Sequence, residues 1–450
     1  MSARRVVITG SGWVTPLGAD VASVWSKLLS GATAMGPVRR FDAETFATSF
    51  AAEVKDFDLF SFLDSSASRH SQASLAGQFA LAAAAQAWVQ AGLGSHDGTP
   101  AGGAYDPDRV GVYLGAGEGE PQMPEGVEAN VHAFDASART VSGSKWTSYA
   151  EEHFRTQAVL EEEPQMAVAH VAAHFNCRGP ALNCMTACAA STQSVGEAFE
   201  IIRRGDADAM LAGGAHSMIH PLGMTGFIRL TAMSTRKDEV ETACRPFDRT
   251  RDGFVMGEGA GMVVLEDLEH AKKRGANILA ELVGYGSSAD AYRITDIKED
   301  GGGAIDAMRR ALRQAGITPT EPDEQGRAPV QYVSAHGTGT QENDGIETKA
   351  IKGVFGSQAP RVPFSSVKSM LGHLIQAAGA VELITCVKAI ETGFVPPTMN
   401  LRNPDPECDL DYVPNEARDL REQGGVDVAM SNGFGFGGQN DCVVIRRFAE

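Results

Sequence analysis

Cys188, His336 and His373 are the side chains through which this chain could do covalent chemistry, and all three share one local setting. In each case a short apolar run that reads as a strand ends, and the reactive group follows at the turn. Ala181–Leu182–Asn183–Cys184 leads through Met185–Thr186–Ala187 to Cys188, and a helix follows with Val195, Ala198, Phe199, Ile201 and Ile202 on its apolar face. A cysteine at such a junction lies beside unpaired helix-start N–H groups and the positive end of a helix dipole, and both favour the thiolate. A buried, inert cysteine fits the same stretch. A strand over residues 330–335 ends at His336–Gly337–Thr338–Gly339–Thr340. Another, over residues 362–366, ends at Lys368–Ser369–Met370–Leu371–Gly372–His373. Singly, either histidine fits an ordinary structural role and Lys368 a solvated one. Open α/β sheets gather ligands at strand C-terminal ends, so the three positions can converge. A thiolate that accepts an acyl group, with imidazoles that donate hydrogen bonds or move protons, is the equipment of thioester chemistry.

Other residues could complete such a site. The run Gly433–Phe434–Gly435–Phe436–Gly437–Gly438 alternates glycine with aromatic residues, so its backbone N–H groups could face an oxyanion; a tight packed turn fits as well. Thr338 and Thr340, within the Gly–Thr turn after His336, and Phe436 are candidate substrate contacts. Asp344 and Glu382 are candidates for orienting their neighbours. Gly10–Ser11–Gly12 follows a strand, but the next glycine is misplaced for a dinucleotide fingerprint and Pro16 intrudes.

The elements that must position these groups alternate along the chain: short hydrophobic strands separated by helices, the pattern of a layered α/β protein. Helices are expected over residues 71–91, 165–175 and 374–391. Residues 115–163 are polar and acidic with no clean period, and are expected to form loops and short helices that cap or insert into the core. No short-period repeat is visible, although two similar halves are plausible.

Composition removes several function classes. With 450 residues the chain can bury a large core and form two domains or one duplicated unit. A net charge of −18 argues against nucleic acid as the partner, since phosphate binding needs clustered Lys and Arg. No apolar run is long enough to span a bilayer. The seven cysteines are irregularly spaced, with no disulfide framework and no Cys-x-x-Cys zinc pattern, so no metal is expected and a reducing cytoplasm is the expected home.

The motifs Thr186–Ala187–Cys188, Ala335–His336–Gly337–Thr338–Gly339–Thr340, Lys368 to His373 and Asn432 to Gly438 occur in this order. Asp206 to Gly214, Ser234–Thr235–Arg236, and Arg245–Pro246–Phe247–Asp248 through Gly261 support them. Together they resemble the β-ketoacyl-[acyl-carrier-protein] synthases, nearest to the bacterial type II elongating enzymes, over nearly the whole chain. The resemblance implies a thiolase fold: an α/β protein of two related halves forming a five-layered α-β-α-β-α core. The nucleophile would lie in an N-terminal half, 1–277, with a cap or insertion around 118–165, and both histidines in a C-terminal half, 278–450. It implies that Cys188 receives the acyl chain, that His336 and His373 assist malonyl decarboxylation and hold the enolate, and that Lys368 supports them electrostatically. The N–H groups of Cys188 and Phe434 would form the oxyanion hole, with Phe434 gating the acyl channel. Acyl carrier protein and a second copy of the chain are the implied partners. No cofactor is implied, because loss of CO2 supplies the carbanion.

Two features depart from the family pattern. Gly115–Ala116–Gly117–Glu118–Gly119–Glu120 places Glu118 where an isoleucine lines the acyl pocket, and an unpaired carboxylate in an apolar tunnel is costly. Basic residues for carrier docking reduce to Arg69 and His70, with Arg203, Arg204, Arg229, Arg236 and Lys237 as possible contributors. The expected activity is therefore decarboxylative condensation of an acyl thioester with malonyl-carrier protein in fatty-acid elongation. The alternatives are a specialised polyketide or unusual-lipid ketosynthase, and a non-catalytic chain-length-factor-like partner, against which the presence of Cys188 speaks.

Overall fold

The computed structural model of the chain describes residues 3–117, 119–295 and 297–449. Ten strands form its main sheet: β1 (Val6–Val14), β2 (Val110–Ala116), β3 (Ala181–Cys184), β4 (Ala209–His216), β5 (Gly259–Asp267), β6 (Ala280–Ala289), β7 (Tyr332–Ser334), β8 (Phe364–Ser365), β9 (Val428–Gly435) and β10 (Gln439–Arg446). Their spatial order is β8-β7-β9-β10-β6-β1-β5-β4-β2-β3. The outer strands pair in parallel at each end, β8-β7-β9 and β4-β2-β3, while the middle is antiparallel. Pairing of β1 with β6 joins the two halves into one sheet. Every residue of β1 is buried, Thr9 and Ser11 included, as in a strand covered on both faces.

Six helices supply the layers: α1 (Leu75–Gln90), α2 (Met166–Phe175), α3 (Ala190–Arg204), α4 (Gly302–Gln314), α5 (Gln341–Phe355) and α6 (Ala378–Thr392). α1 covers β1 and β5, and α4 covers β6 and β10. α3 and α6 lie between, packing on strands of both halves. The result is the five-layered α-β-α-β-α core of a thiolase fold. α1 is capped by Ser74, which accepts from Gly77 N, and is buried almost all round, so its alanines allow close approach.

The relation between the halves lies in the strand–helix contacts. β1 bulges between Ile8 and Gly10, and β6 bulges between Leu282 and Gly284. A Cβ on Gly10 would fall 2.0 Å from the Ala87 carbonyl oxygen of α1, and one on Gly284 2.1 Å from that of Ala311 in α4. Two residues further on, Gly12 and Gly286 would meet the carbonyl oxygens of Ala83 and Ala307 at 2.2 and 2.1 Å. One glycine-to-helix packing solution thus occurs twice, in one register.

Between β2 and α2 the chain forms the helices Met123–Ala133, Gly143–His153 and Thr156–Glu161, the first two packed on each other. Loops and short helices are the elements expected of this stretch. One tie to the core is a linear polar chain: Glu161 meets His170 at 3.0 Å, His170 meets His70 at 2.9 Å, His70 meets His174 at 3.0 Å, and His174 meets the His96 carbonyl at 2.8 Å. His70 is therefore a buried structural group and not part of a docking surface. The expected helix over 374–391 begins later, at Ala378. Ile375 takes a left-handed backbone (φ 42°), so a short turn over Ile375–Ala377 precedes α6. Among the described residues no helix is long and apolar enough to cross a membrane.

Candidate active site

The strand ends that carry the predicted residues come together. Cys188 lies in the turn Ala187–Ala189 between β3 and α3, His336 follows β7, Lys368 and His373 follow β8, and Phe434 and Phe436 lie at the end of β9. Ligand atoms of Cys188, His336 and His373 all lie within 4.8 Å of one another, and the three residues are buried. They line a cavity of about 330 Å3, together with Thr338, Thr340 and Phe436. The Thr338 and Thr340 hydroxyls are 3.0 Å apart. The backbone on both sides is strained: Ala187, just before the sulfur, and Ile375, just after His373, have φ of 48° and 42°. Such values in non-glycine residues persist only where surrounding structure enforces them. Gly435 lies against the Cys188 turn, its missing Cβ 2.7 Å from Thr186 O and 3.2 Å from Cys188 N, so a side chain there would push the loop away.

The histidines are held from behind. His336 N and Gly337 N donate to the buried Glu347 carboxylate at 2.9 and 2.8 Å, and Asn432 Nδ2 donates to it at 3.2 Å. Asp344 accepts from Phe247 N and Gly339 N and faces Arg251 at 3.5 Å, which fixes the Gly–Thr turn. His373 Nδ1 accepts from Ile375 N at 3.3 Å, so in a neutral ring the proton resides on Nε2, an atom with no partner among the described residues. The two rings meet edge to face with centroids 5.4 Å apart.

Lys368 is 1 % exposed, donates to the His336 carbonyl oxygen at 2.5 Å, and pairs with the Glu382 carboxylate on α6. Burial pushes the Glu382 carboxyl up to about 7, although Lys368 pulls it down. Both histidines are held well below the usual imidazole range, first by burial and then by the Lys368 ammonium, so they are neutral. The helix-start setting of Cys188 does not decide its charge, contrary to expectation. Burial pushes its thiol up to about 12, against Lys368 and the backbone N–H groups of Phe436 and of Cys188 itself. Burial thus favours the neutral thiol at Cys188.

The expected oxyanion pair changes by one residue. The glycine–phenylalanine N–H beside the sulfur is that of Phe436, whereas Phe434 lies within β9 opposite Asn440, its ring 5.6 Å from that of His336. Glu118 lies outside the described residues. Among the proposed basic contacts, Arg203 pairs with Glu200, Arg204 with Asp206, and Arg236 with Asp252. Sequence reasoning missed Glu347, Asn432 and Arg251. The available signal was that Asp344 and Glu347, three apart in α5, share a face with Ile351, which makes them buried acids in need of donors.

The family model "Beta-ketoacyl synthase, N-terminal domain" matches residues 3–271, and "Beta-ketoacyl synthase, C-terminal domain" matches residues 279–402. The chain is 43% identical over 447 residues to a protein of Coxiella burnetii named 3-oxoacyl-[acyl-carrier-protein] synthase 2, covering 99% of both chains. It is 42% identical over 445 residues to one of the same name from Staphylococcus aureus, again covering 99% of both. Among solved structures it superposes with a TM-score of 0.83, at 32% identity and full coverage of both chains, on the AntDE:AntF complex, described as a type II PKS acyl-carrier protein with its ketosynthase bound to the hexaketide. The ishigamide ketosynthase/chain length factor matches with the same TM-score at 33% identity, also over the whole of both chains.

Proposed function

Because the chain belongs to the β-ketoacyl synthase family, we propose that Cys188, His336 and His373 carry out the decarboxylative condensation of an acyl thioester with malonyl-acyl-carrier protein. The observation that carries this reading is the convergence of one sulfur and two neutral imidazoles within 4.8 Å at the end of a cavity. In the first half-reaction the Cys188 sulfur attacks the thioester carbonyl of acyl-carrier protein. The tetrahedral oxyanion is held by the N–H groups of Cys188 and Phe436, the carrier's sulfur leaves, and the proton lost by Cys188 goes to it. In the second, malonyl-carrier protein loses its carboxylate as CO2, and the electron pair passes to its thioester oxygen. Neutral N–H donors, His373 Nε2 among them, stabilise this enolate without the stronger proton donation of an imidazolium, which would quench the carbanion. The enolate carbon then attacks the acyl-Cys188 carbonyl. 3-Oxoacyl-carrier protein leaves, and the Cys188 sulfur regains a proton from solvent.

Burial of Lys368 against Glu382 keeps one positive charge near both rings, which disfavours their protonation. In this reading the catalytic halves divide as 1–277 and 278–450. A second copy of the chain is the partner at β3, an edge strand that pairs only with β2 among the described residues and presents Leu182 (43 % exposed), with Met185 (54 % exposed) just beyond its end. Incubation with malonyl- and medium-chain acyl-carrier proteins tests the chemistry. The expected outcome is CO2 release, a 3-oxoacyl product and an acyl mass adduct on Cys188, with Cys188→Ala losing the adduct and at least about a thousandfold in condensation. Absence of both CO2 and adduct rejects the reading. Sedimentation tests the partner: a dimer is expected, dissociating more readily in Leu182→Glu.

A further inference from the structure

Cys188, His336 and His373 lie at the buried end of their cavity, and its exposed lining residues mark the mouth. Two of these belong to separate segments. Leu230, the C-cap of the helix Pro221–Arg229, is 47 % exposed, and Thr295 is exposed as well. Just before Thr295 stand Tyr292 and Ile294, 49 % and 84 % exposed. Their segment is tied down. The Ile294 carbonyl accepts from Gly437 N at 2.7 Å, and Asp290 N donates to the Gly438 carbonyl at 2.9 Å. The run that carries Phe436 therefore presents these side chains in a fixed position, and a partner seated on them has little left to order.

Large apolar side chains are normal on a surface when they are scattered singly; gathered at the entrance of a cavity they mark a contact. Tyr and Arg are also the side chains enriched at contact centres, and both occur here. The Arg293 guanidinium lies over the Tyr292 ring, 5.2 Å from its centroid. Arg229, next to Leu230, is exposed with no ion pair or hydrogen bond among the described residues. The basic residues offered for docking elsewhere are largely engaged: Arg203, Arg204 and Arg236 are in ion pairs, and His70 is buried.

Both substrates reach Cys188 on the prosthetic arm of the carrier, so the carrier sits over this mouth in each half-reaction. The phosphodiester that joins arm to carrier is an anion, which the free Arg229 complements. The carboxylates on the cavity wall are answered from within: Asp252 by Arg236 and Ser234, Asp290 by Asn440, and Glu342 by the first turn of α5.

We propose that acyl carrier protein docks on the apolar rim formed by Tyr292, Ile294 and Leu230, with Arg229 meeting the phosphodiester, so that apolar contact and not a basic patch holds it. The inference rests on the condensing activity above and assigns the surface through which that activity receives its substrates.

The test uses the full-length protein with two substrate sets: acyl and malonyl groups on carrier protein, and the same groups on pantetheine alone, which needs no docking. Ile294→Asp is expected to raise the KM for malonyl-carrier protein at least about tenfold more than the KM for malonyl-pantetheine, and Ile294→Leu is expected to restore it. Salt screens exposed charges and leaves apolar contact intact, so between about 0.05 and 0.5 M ionic strength the wild-type KM for malonyl-carrier protein is expected to change less than about threefold. A rise of about tenfold or more over that range is the behaviour of a basic docking patch and overturns the proposal. An equal effect of Ile294→Asp on both substrate sets, or no effect on either, overturns it too. So does a change in the sedimentation of Ile294→Asp, which would assign the rim to a second copy of the chain. If that variant fails to fold, Ile294→Ser and the salt series decide. Absence of product with both substrate sets rejects the condensing reading itself, and turnover without these differences rejects only this inference.

Discussion

Glu347 sets the position of His336 without touching the cavity. Its carboxylate accepts from His336 N, Gly337 N and Asn432 Nδ2, so the turn that aims the imidazole is fixed by one buried acid. In Glu347→Gln one amide N–H replaces an acceptor and faces a backbone N–H, leaving a buried donor unpaired at a cost of about 1–3 kcal/mol. A shift of the ring by a fraction of an ångström is expected to lower kcat about 10–100-fold with KM little changed. Steady-state kinetics with a urea midpoint checks both, and an unchanged kcat would show that the turn is held by other contacts. The sequence already marked Cys188, His336, His373 and Lys368, because strand-end turns and glycine-rich neighbours are local signals. It did not mark Glu347: sharing a helix face with Asp344 and Ile351 hints at burial, but which backbone N–H groups the acid meets is set by the turn after β7 and by β9. It also pointed to Phe434 for the oxyanion N–H, whereas the pairing of β9 with β10 sets Phe434 opposite Asn440 and leaves the N–H of Phe436 beside the sulfur.

At the scale of elements, strands meet helices through glycine in both halves. Gly10 against Ala87 and Gly284 against Ala311 leave no room for a methyl group, the would-be Cβ lying 2.0 and 2.1 Å from a carbonyl oxygen. Gly10→Ala and Gly284→Ala must each move a helix away from its strand, an overpacking that costs about 1–3 kcal/mol or more. Each single variant is expected to lower the urea midpoint by a similar amount, because the contact is the same one repeated. A loss confined to one variant would show that the halves are not equivalent in packing. The glycines were visible in the chain, but their partners lie 77 and 27 residues away along it, so no local pattern pairs them. The break at Ile375 was hidden for a related reason. Its left-handed backbone is imposed by the packing of the Cys188 turn against residues 375–377, and isoleucine would otherwise avoid it.

For the molecule as a whole, the histidine chain ties the cap to the core and makes stability depend on pH. Burial, then His174, His170 and Arg69, hold the His70 ring down to about 4, and burial lowers His174 in the same direction against the His96 carbonyl and Asp97. The folded pKa lies below the ordinary 6.5, so in that window the unfolded chain binds protons that the folded chain does not. Stability from these groups is complete above about pH 6.5 and declines as pH falls toward about 4. Thermal midpoints measured across this range are expected to fall, and His70→Gln, which keeps a donor and an acceptor, is expected to flatten the decline. Identical slopes in the two proteins would show that other groups set the acid limb.

The sequence by itself determined the layered α/β class and singled out Cys188, His336 and His373, which the fold brings together, because strand-end turns and motif order are properties of contiguous residues. Only the tertiary structure decided the environment that governs the Cys188 thiol. Helix-start N–H groups act locally to favour the thiolate, but burial among side chains distant in sequence outweighs them and pushes the Cys188 thiol up to about 12. The same holds for a buried polar pair. His216 and Gln376 are 160 residues apart, and only the packing of the turn over residues 375–377 against β4 brings their side chains together.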